Sequence, residues 1–324
     1  MRIKMFFSLL LAVILLMGIG SALAEDNRVV IFSSAEDFRN EYFLNRLKEQ
    51  FPDYDIVIEY MSSGSHAAKL QAEGTATDCD ITLDLDASYL DMLSPILAEL
   101  SDFDFSNFAD DLVTSTKYAP FERNSGAVIV NTQVLEKNNL PMPESYADLL
   151  KPEFEGLLSM PNPKSSNSGY MAFKALVNAW GEEEAFDYFD AFADNVLAFT
   201  TSGSGPVNAL LQGEVAVGLG MLAPAVTEIN NGAPFKILIF DEGVPFCCNV
   251  IGLIEGRQHD KAAKEVFDFF TTTLCDENSE KWFPEYLFKD RQYEIENYPK
   301  DFKYSDMSGA TLDEKMRLLD MWEY

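Results

Sequence analysis

The chain has 324 residues, 47% of them hydrophobic, which supplies ample material for a core and excludes the disordered class. Its formal net charge of −29 repels phosphate backbones and argues against a nucleic-acid partner. That charge reads first as solubility, with attraction of cations as the alternative.

At the N-terminus, Arg2 and Lys4 precede an uncharged apolar run from Phe6 to Met17, and Ser21-Ala22-Leu23-Ala24 supplies an A-x-A cleavage pattern. Residues 1–24 are therefore expected to be a secretory signal peptide cleaved after Ala24. The alternative, a membrane anchor, would need a longer run of about 20 residues and a basic stop-transfer cluster. No cysteine lies near the cut, so a freely diffusing periplasmic protein is expected. The remaining length favours two domains.

Export permits disulfides among Cys79, Cys247, Cys248 and Cys275. Adjacent Cys247 and Cys248 are poor mutual partners, because Cα atoms one trans peptide apart are closer than the usual disulfide range. A bridge from either to Cys79 or Cys275, and four free thiols, both remain open. With only His66 and His259 beside them, no Cys/His metal site and no cofactor are expected.

Arg28 to Phe32 reads as a β-branched strand, followed by Ser33-Ser34 and a helix carrying Phe38, Phe43, Leu44 and Leu47. Tyr54 to Met61 is a second strand, then Ser62 to Ser65, then a helix through Ala67 and Leu70. Asp80 to Leu85 is a third, and Asp86-Ala87-Ser88 opens another helix. This rhythm predicts a parallel sheet with covering helices. Further strands are predicted at Ala127–Asn131, Gly156–Met160, Val196–Phe199, Val215–Leu219, Phe235–Phe240 and Phe246–Ile254. Helices are predicted at Tyr146–Leu150, through Met171, Leu176 and Trp180, and at Val207–Leu211. The segment from Pro161 to Tyr170 reads as a loop, and Lys261 to Thr272 as an amphipathic helix. The aromatic, charged tail from Asn278 is expected to pack as helices on the outside.

Four strand ends run into hydroxyl-rich turns: Ser33-Ser34, Ser62 to Ser65, Ser165 to Ser168, and Thr200 to Ser204. In open α/β sheets ligands collect at the carboxyl ends of strands, and helix N-termini offer unpaired N–H groups to anions. Ser33, Ser34, Ser63, Ser65, Ser165, Ser166, Ser168, Thr201, Ser202 and Ser204 are thus candidate ligand contacts. At any one turn, helix capping is the competing explanation. Asp84 and Asp86 end the third strand, where they either meet an ammonium group of the ligand or, in the case of Asp86, cap the next helix. Arg123 either clamps an anion or makes a structural ion pair. His66 lies in the second turn, either exposed or against a ligand, and Tyr170 reads as core or wall. No G-x-S-x-G elbow, H-E-x-x-H or P-loop is present, so a secreted hydrolase is disfavoured.

The segments RVVIFSSAEDFRNEYFLNRLKEQFP, SSGSHAAKLQAEG and DCDITLDLDASYLDML resemble the opening domain of the extracellular solute-binding proteins of ABC importers. PMPESYADLLKPEFEGLLSMPNPKSSNSGYMAFKAL resembles their second domain, and TSGSGPVNALLQGEVAVGLGM and CNVIGLIEGRQHDKAAKEVFDFF agree in order and spacing. The most similar branch holds ferric-iron, phosphonate and sugar-phosphate binders. The resemblance implies an α/β, two-lobed periplasmic-binding-protein-like (type II) fold. Its two domains, with mixed sheets, would be joined by crossover strands at FERNSGAVIVN and FCCNVIGLI and close like a hinged trap. Residues 25–120 and 247–285 would form lobe 1, 121–246 lobe 2, and 286–324 a C-terminal helical segment packed on both. Iron-binding members carry adjacent tyrosines where this chain has Met221-Leu222-Ala223-Pro224, which weighs against iron. A monomer is expected that captures a small anion or zwitterion, such as a phosphonate or phosphate ester, and hands it to a membrane permease with its ATPase. A polyamine or metal cation is the alternative.

Overall fold

The structure is a computed structural model describing residues 27–300 and 302–324; the predicted signal sequence and its cleavage point lie outside them. Val29, Val30, Ile31 and Phe32 make β1 (Arg28–Ser33) apolar on both faces, and all four are buried, as a parallel strand covered on both sides requires. Next come α1 (Asp37–Gln50), β2 (Asp55–Tyr60), α2 (Ser63–Glu73), β3 (Ile81–Asp86) and the short α3 (Ala87–Met92). Strand β1 lies between β2 and β3, parallel to both, as the βαβ rhythm predicts.

Strand β4 (Tyr118–Asn131) is longer than its apolar signal at Ala127–Asn131, and every residue of it is buried. Pro120, Glu122, Arg123 and Asn124 interrupt the hydrophobic pattern of its first part, but their polar groups are accommodated inside the protein. There follow α4 (Thr132–Asn138), β5 (Leu158–Pro161), α5 (Asn167–Trp180), α6 (Glu182–Asn195) and β6 (Val196–Thr200). Then come α7 (Gly205–Gln212), β7 (Val217–Met221), α8 (Leu222–Asn230), β8 (Phe235–Leu238) and β9 (Phe246–Leu253). Helices α4, α6 and α8 fall outside the predicted elements. The predicted loop at Pro161–Tyr170 ends early, because Asn167 already begins α5.

The strand order is β2-β1-β3-β9-β4-β7-β5-β6, with β8 also on β4. Strand β4 belongs to both halves: its stretch from Tyr118 to Ser125 pairs antiparallel with β9, and Gly126 to Val130 pairs antiparallel with β7. Separate cores form on either side of it. One gathers Val29, Phe43, Ile81, Phe121 and Phe267, the other Phe154, Leu158, Phe173, Phe189 and Val217. The result is a mixed α/β fold of two lobes joined by β4 and β9.

The C-terminal part differs from the expected helical segment. The amphipathic helix α9 (Lys261–Phe269) passes through a π-helical turn at Phe270–Leu274 into α10 (Cys275–Lys281). From there to residue 311 the described chain has no helix, and only α11 (Leu312–Asp320) is helical. Nor does the tail merely cover the outside. The Trp322 ring is buried edge-on against Phe173 and Phe189 at 5.2 and 5.3 Å, which makes the chain end part of the second core. All four cysteines are free thiols, with Cys79 and Cys275 buried.

Candidate functional site

Residues at the carboxyl ends of β1, β2 and β3 face residues at the carboxyl ends of β5, β6 and β7 across a crevice of about 200 Å³. The first lobe contributes Ser34, Glu36, Asp37, Tyr60, Ser62, Ser63 and Asp84. The second contributes Ser165, Ser166, Asn167, Ser168, Thr201, Ser202, Gly203, Ser204 and Met221, and the joining strands add Asn124, Cys247 and Asn249. Two glycines let the second wall close up. A Cβ on Gly169 would lie 2.3 Å from the Pro161 carbonyl oxygen, and one on Gly203 2.4 Å from Ser168 Oγ.

Three helices start at this crevice behind serines that do not cap them. Ser62, Ser166 and Ser204 hold the N-cap positions of α2, α5 and α7, and none of their side chains accepts a capping bond from a backbone N–H of its helix. Elsewhere capping is ordinary: Ser145 accepts from Asp148 N, Asp260 from Ala263 N and Thr311 from Glu314 N. Capping therefore does not account for the crevice serines. Their hydroxyls, and the N–H groups that every helix start leaves over, converge on one space.

Several predicted contacts lie elsewhere. Ser33 is fully buried and donates to Asn40 Oδ1 at 2.7 Å. Ser65 is exposed and accepts from Ser62 Oγ at 3.1 Å. Asp86 caps α3, accepting from Ser88 N at 3.0 Å, and lines an adjoining cavity rather than the crevice. Arg123 is buried in a structural ion pair with Asp111 at 2.6 Å, its guanidinium over the Phe246 and Tyr304 rings. His66 is neither exposed nor in the crevice. It is fully buried behind Ser34. Tyr170 is buried wall.

The crevice lining includes no lysine or arginine among the described residues; its charges are the carboxylates Glu36, Asp37 and Asp84. Beneath it, fully buried Arg39 donates to Glu36 at 2.9 Å and Asp84 at 3.3 Å, and pairs with Glu122. Asn249 Nδ2 donates to both Asp84 and Glu122 at 3.1 Å, and Asn278 Nδ2 to Glu122 at 3.0 Å. Three carboxylates share one guanidinium. Burial, then their mutual repulsion, pushes Asp84 well above the usual carboxylate range, and burial raises Glu122 as well. Both carboxyls are thereby biased toward their protonated forms, against the pull of Arg39. Asp84 also sits in a left-handed conformation, φ 60°, at the break in register between β3 and β9. Two acceptors on this side, Glu36 Oε1 and Asn124 Oδ1, are buried without a hydrogen-bond partner.

One edge of the crevice is bridged. Asn167 of α5 donates to Asp86 at 3.2 Å and accepts from Lys315 Nζ at 2.8 Å. Lys315, in α11, is buried between the Tyr89 ring of the first lobe and the Tyr170 ring of the second, at 4.1 and 4.8 Å. The sequence reading reached the serine turns but not Tyr60, Asn124, Asn167, Cys247, Asn249 or Lys315, which carry no motif.

Two α/β lobes joined by paired crossover strands around a polar crevice define the periplasmic binding-protein class. The sequence profile of the bacterial extracellular solute-binding proteins matches residues 52–284, and the chain belongs to that family. An uncharacterized protein of Haemophilus influenzae is 28% identical over 260 residues, 77% of this chain and 74% of the relative. In fold, the chain is similar to the periplasmic binding protein AfuA from Actinobacillus pleuropneumoniae, with exogenous fructose-6-phosphate bound. The TM-score is 0.81 at 24% identity, covering 91% of this chain and 97% of AfuA. Iron-bound HitA from Pseudomonas aeruginosa gives a TM-score of 0.75 at 16% identity, covering 90% and 97%.

Proposed function

We propose that the protein is the periplasmic substrate-binding component of an ABC importer. It captures a small anionic or zwitterionic solute in the interlobe crevice by hinge closure and delivers it to a membrane permease with its ATPase. The observation that carries this reading is the convergence of Ser62, Ser166 and Ser204 on the crevice with none of them capping its helix. Hydroxyls and helix-start amides suit phosphate or phosphonate oxygens. The unpartnered acceptors Glu36 Oε1 and Asn124 Oδ1 suit hydroxyl or ammonium hydrogens on the same solute. A phosphorylated polyol or an aminophosphonate satisfies both walls. The structural likeness to AfuA, which holds fructose-6-phosphate, supports the first of these.

The acidic wall favours a second reading, capture of a polyamine or other cation, because no basic side chain opposes Glu36, Asp37 and Asp84 in the lining. Ferric iron fits less well, since Leu222 and Ala223, at the end of β7, are buried apolar residues.

A thermal-shift screen of the mature protein against phosphonates, sugar phosphates, inorganic phosphate, polyamines and ferric iron tests these readings. A ligand at about one hundred times its Kd stabilises the native state by about 2.7 kcal/mol. A shift with a phosphate- or phosphonate-bearing compound is expected, and a shift with polyamine alone overturns the anion reading. N-terminal sequencing of the periplasmic protein is expected to begin at Glu25.

A further inference from the structure

Behind the first wall of the crevice both ring nitrogens of His66 are engaged. Nδ1 lies 2.9 Å from Ser34 Oγ, and Nε2 lies 3.0 Å from Thr82 Oγ1. The ring is fully buried, edge-on to Phe32, and burial holds its pKa down at about 3, so the imidazole is neutral. A neutral imidazole carries one hydrogen: one nitrogen donates and the other accepts.

Thr82 settles which. Its side chain is fully buried in β3, and His66 Nε2 is the only hydrogen-bond partner of its hydroxyl among the described residues. If Nε2 carried the hydrogen, Thr82 would have to accept it, and the threonine's own hydrogen would be buried with no acceptor. That arrangement bears the full desolvation cost of a donor. If Nε2 accepts, Thr82 donates and no donor is orphaned. The hydrogen then belongs to Nδ1, which donates to Ser34 Oγ. Ser34 has no other hydrogen-bond partner for its hydroxyl among the described residues, and it lines the crevice.

We infer that His66 is a positioning residue: protonated on Nδ1, it donates to Ser34 and thereby frees the serine's own hydrogen to donate into the crevice. Ser34 is thus set to read an acceptor atom of the solute, a phosphate or phosphonate oxygen, rather than a hydroxyl or ammonium hydrogen. This rests on the crevice being the solute site and deepens that reading by fixing the hydrogen-bond polarity of one contact. The wall then splits by function, with Ser34 as donor and Glu36 and Asn124 as acceptors.

The test begins without ligand. Nitrogen-15 spectra of the histidine side chains in the mature protein at neutral pH are expected to show the hydrogen of His66 on Nδ1. Finding it on Nε2 overturns the inference. Thr82→Val removes the donor, and Thr82→Ser retains it. The valine variant is expected to lose the Nδ1 preference and the serine variant to keep it, with circular dichroism reporting that both fold. Affinity for fructose 6-phosphate, measured by calorimetry, is expected to fall about tenfold in Thr82→Val and less than about twofold in Thr82→Ser. Equal affinity of Thr82→Val and the unaltered protein breaks the link from His66 to the crevice. Failure of the unaltered protein to bind any phosphate-bearing probe counts against the proposed function, separately from the position of the hydrogen.

Discussion

Asp86 of one lobe accepts a hydrogen bond from Asn167 of the other at 3.2 Å, and Asn167 is itself held by Lys315. This short chain of polar groups joins the first lobe, the second lobe and the C-terminal helix at one edge of the crevice. A group placed there favours the arrangement in which the lobes are together.

Asn167→Ala removes both bonds. A hydrogen bond to a charged group is worth about 1.5–3 kcal/mol, so affinity for the captured solute is expected to fall roughly tenfold or more. Small-angle scattering should show a larger radius for the variant at the same ligand concentration. Unchanged affinity would take the bridge out of the closing step.

Serines at helix starts separate into two behaviours. Ser145→Ala removes a working cap and is expected to cost about 1 kcal/mol in urea unfolding. Ser166→Ala and Ser204→Ala remove hydroxyls that cap nothing, and are expected to change stability by less than about 0.5 kcal/mol while weakening solute binding. Equal stability losses at all three positions would return the crevice serines to a purely structural role.

Arg39 is the one guanidinium among Glu36, Asp84 and Glu122. Burial opposes its charge, yet the three carboxylates together hold it protonated. Arg39→Met strands those carboxylates in the interior, and a loss of about 3–5 kcal/mol is expected from urea unfolding. Arg39→Lys should also destabilise, because an ammonium cannot fork between partners.

The buried acids and the buried histidine give stability opposite dependences on pH. Asp84 and Glu122 have folded-state values raised above those of the unfolded chain. Their contribution is therefore full below about pH 4 and is lost as pH rises through the raised values. His66, lowered from 6.5 to about 3, contributes fully above its unfolded value and loses that contribution as pH falls toward its folded one. Glu122→Gln is expected to flatten the loss on the alkaline side in denaturant titrations from about pH 4 to about pH 8. An unaltered slope would mean that Glu122 does not carry this dependence.

Periodicity in the sequence was enough to place β1, β2 and β3 and the hydroxyl turns that follow strands, because apolar runs and serine clusters are local. Parity was not available. Ser33 and Ser34 are neighbours in an extended segment, where successive side chains face opposite ways, and only Ser34 reaches the crevice. The same alternation sends Asn124 to the crevice and Arg123 to Asp111. Choosing between such neighbours requires the register with β9, which is a long-range property. The first half of β4 was hidden for a related reason: Glu122 looks like a surface residue until Arg39, Asn249 and Asn278 are brought around it.

Because β4 supplies backbone partners to β9 and to β7 in a single unbroken stretch, neither half of the molecule possesses a complete set of strands without the other. Melting one side would strip an edge from its neighbour, so calorimetry should record a single cooperative event rather than two. A protease that nicked the chain between Ser125 and Gly126 would leave two fragments, each lacking half of a shared seam.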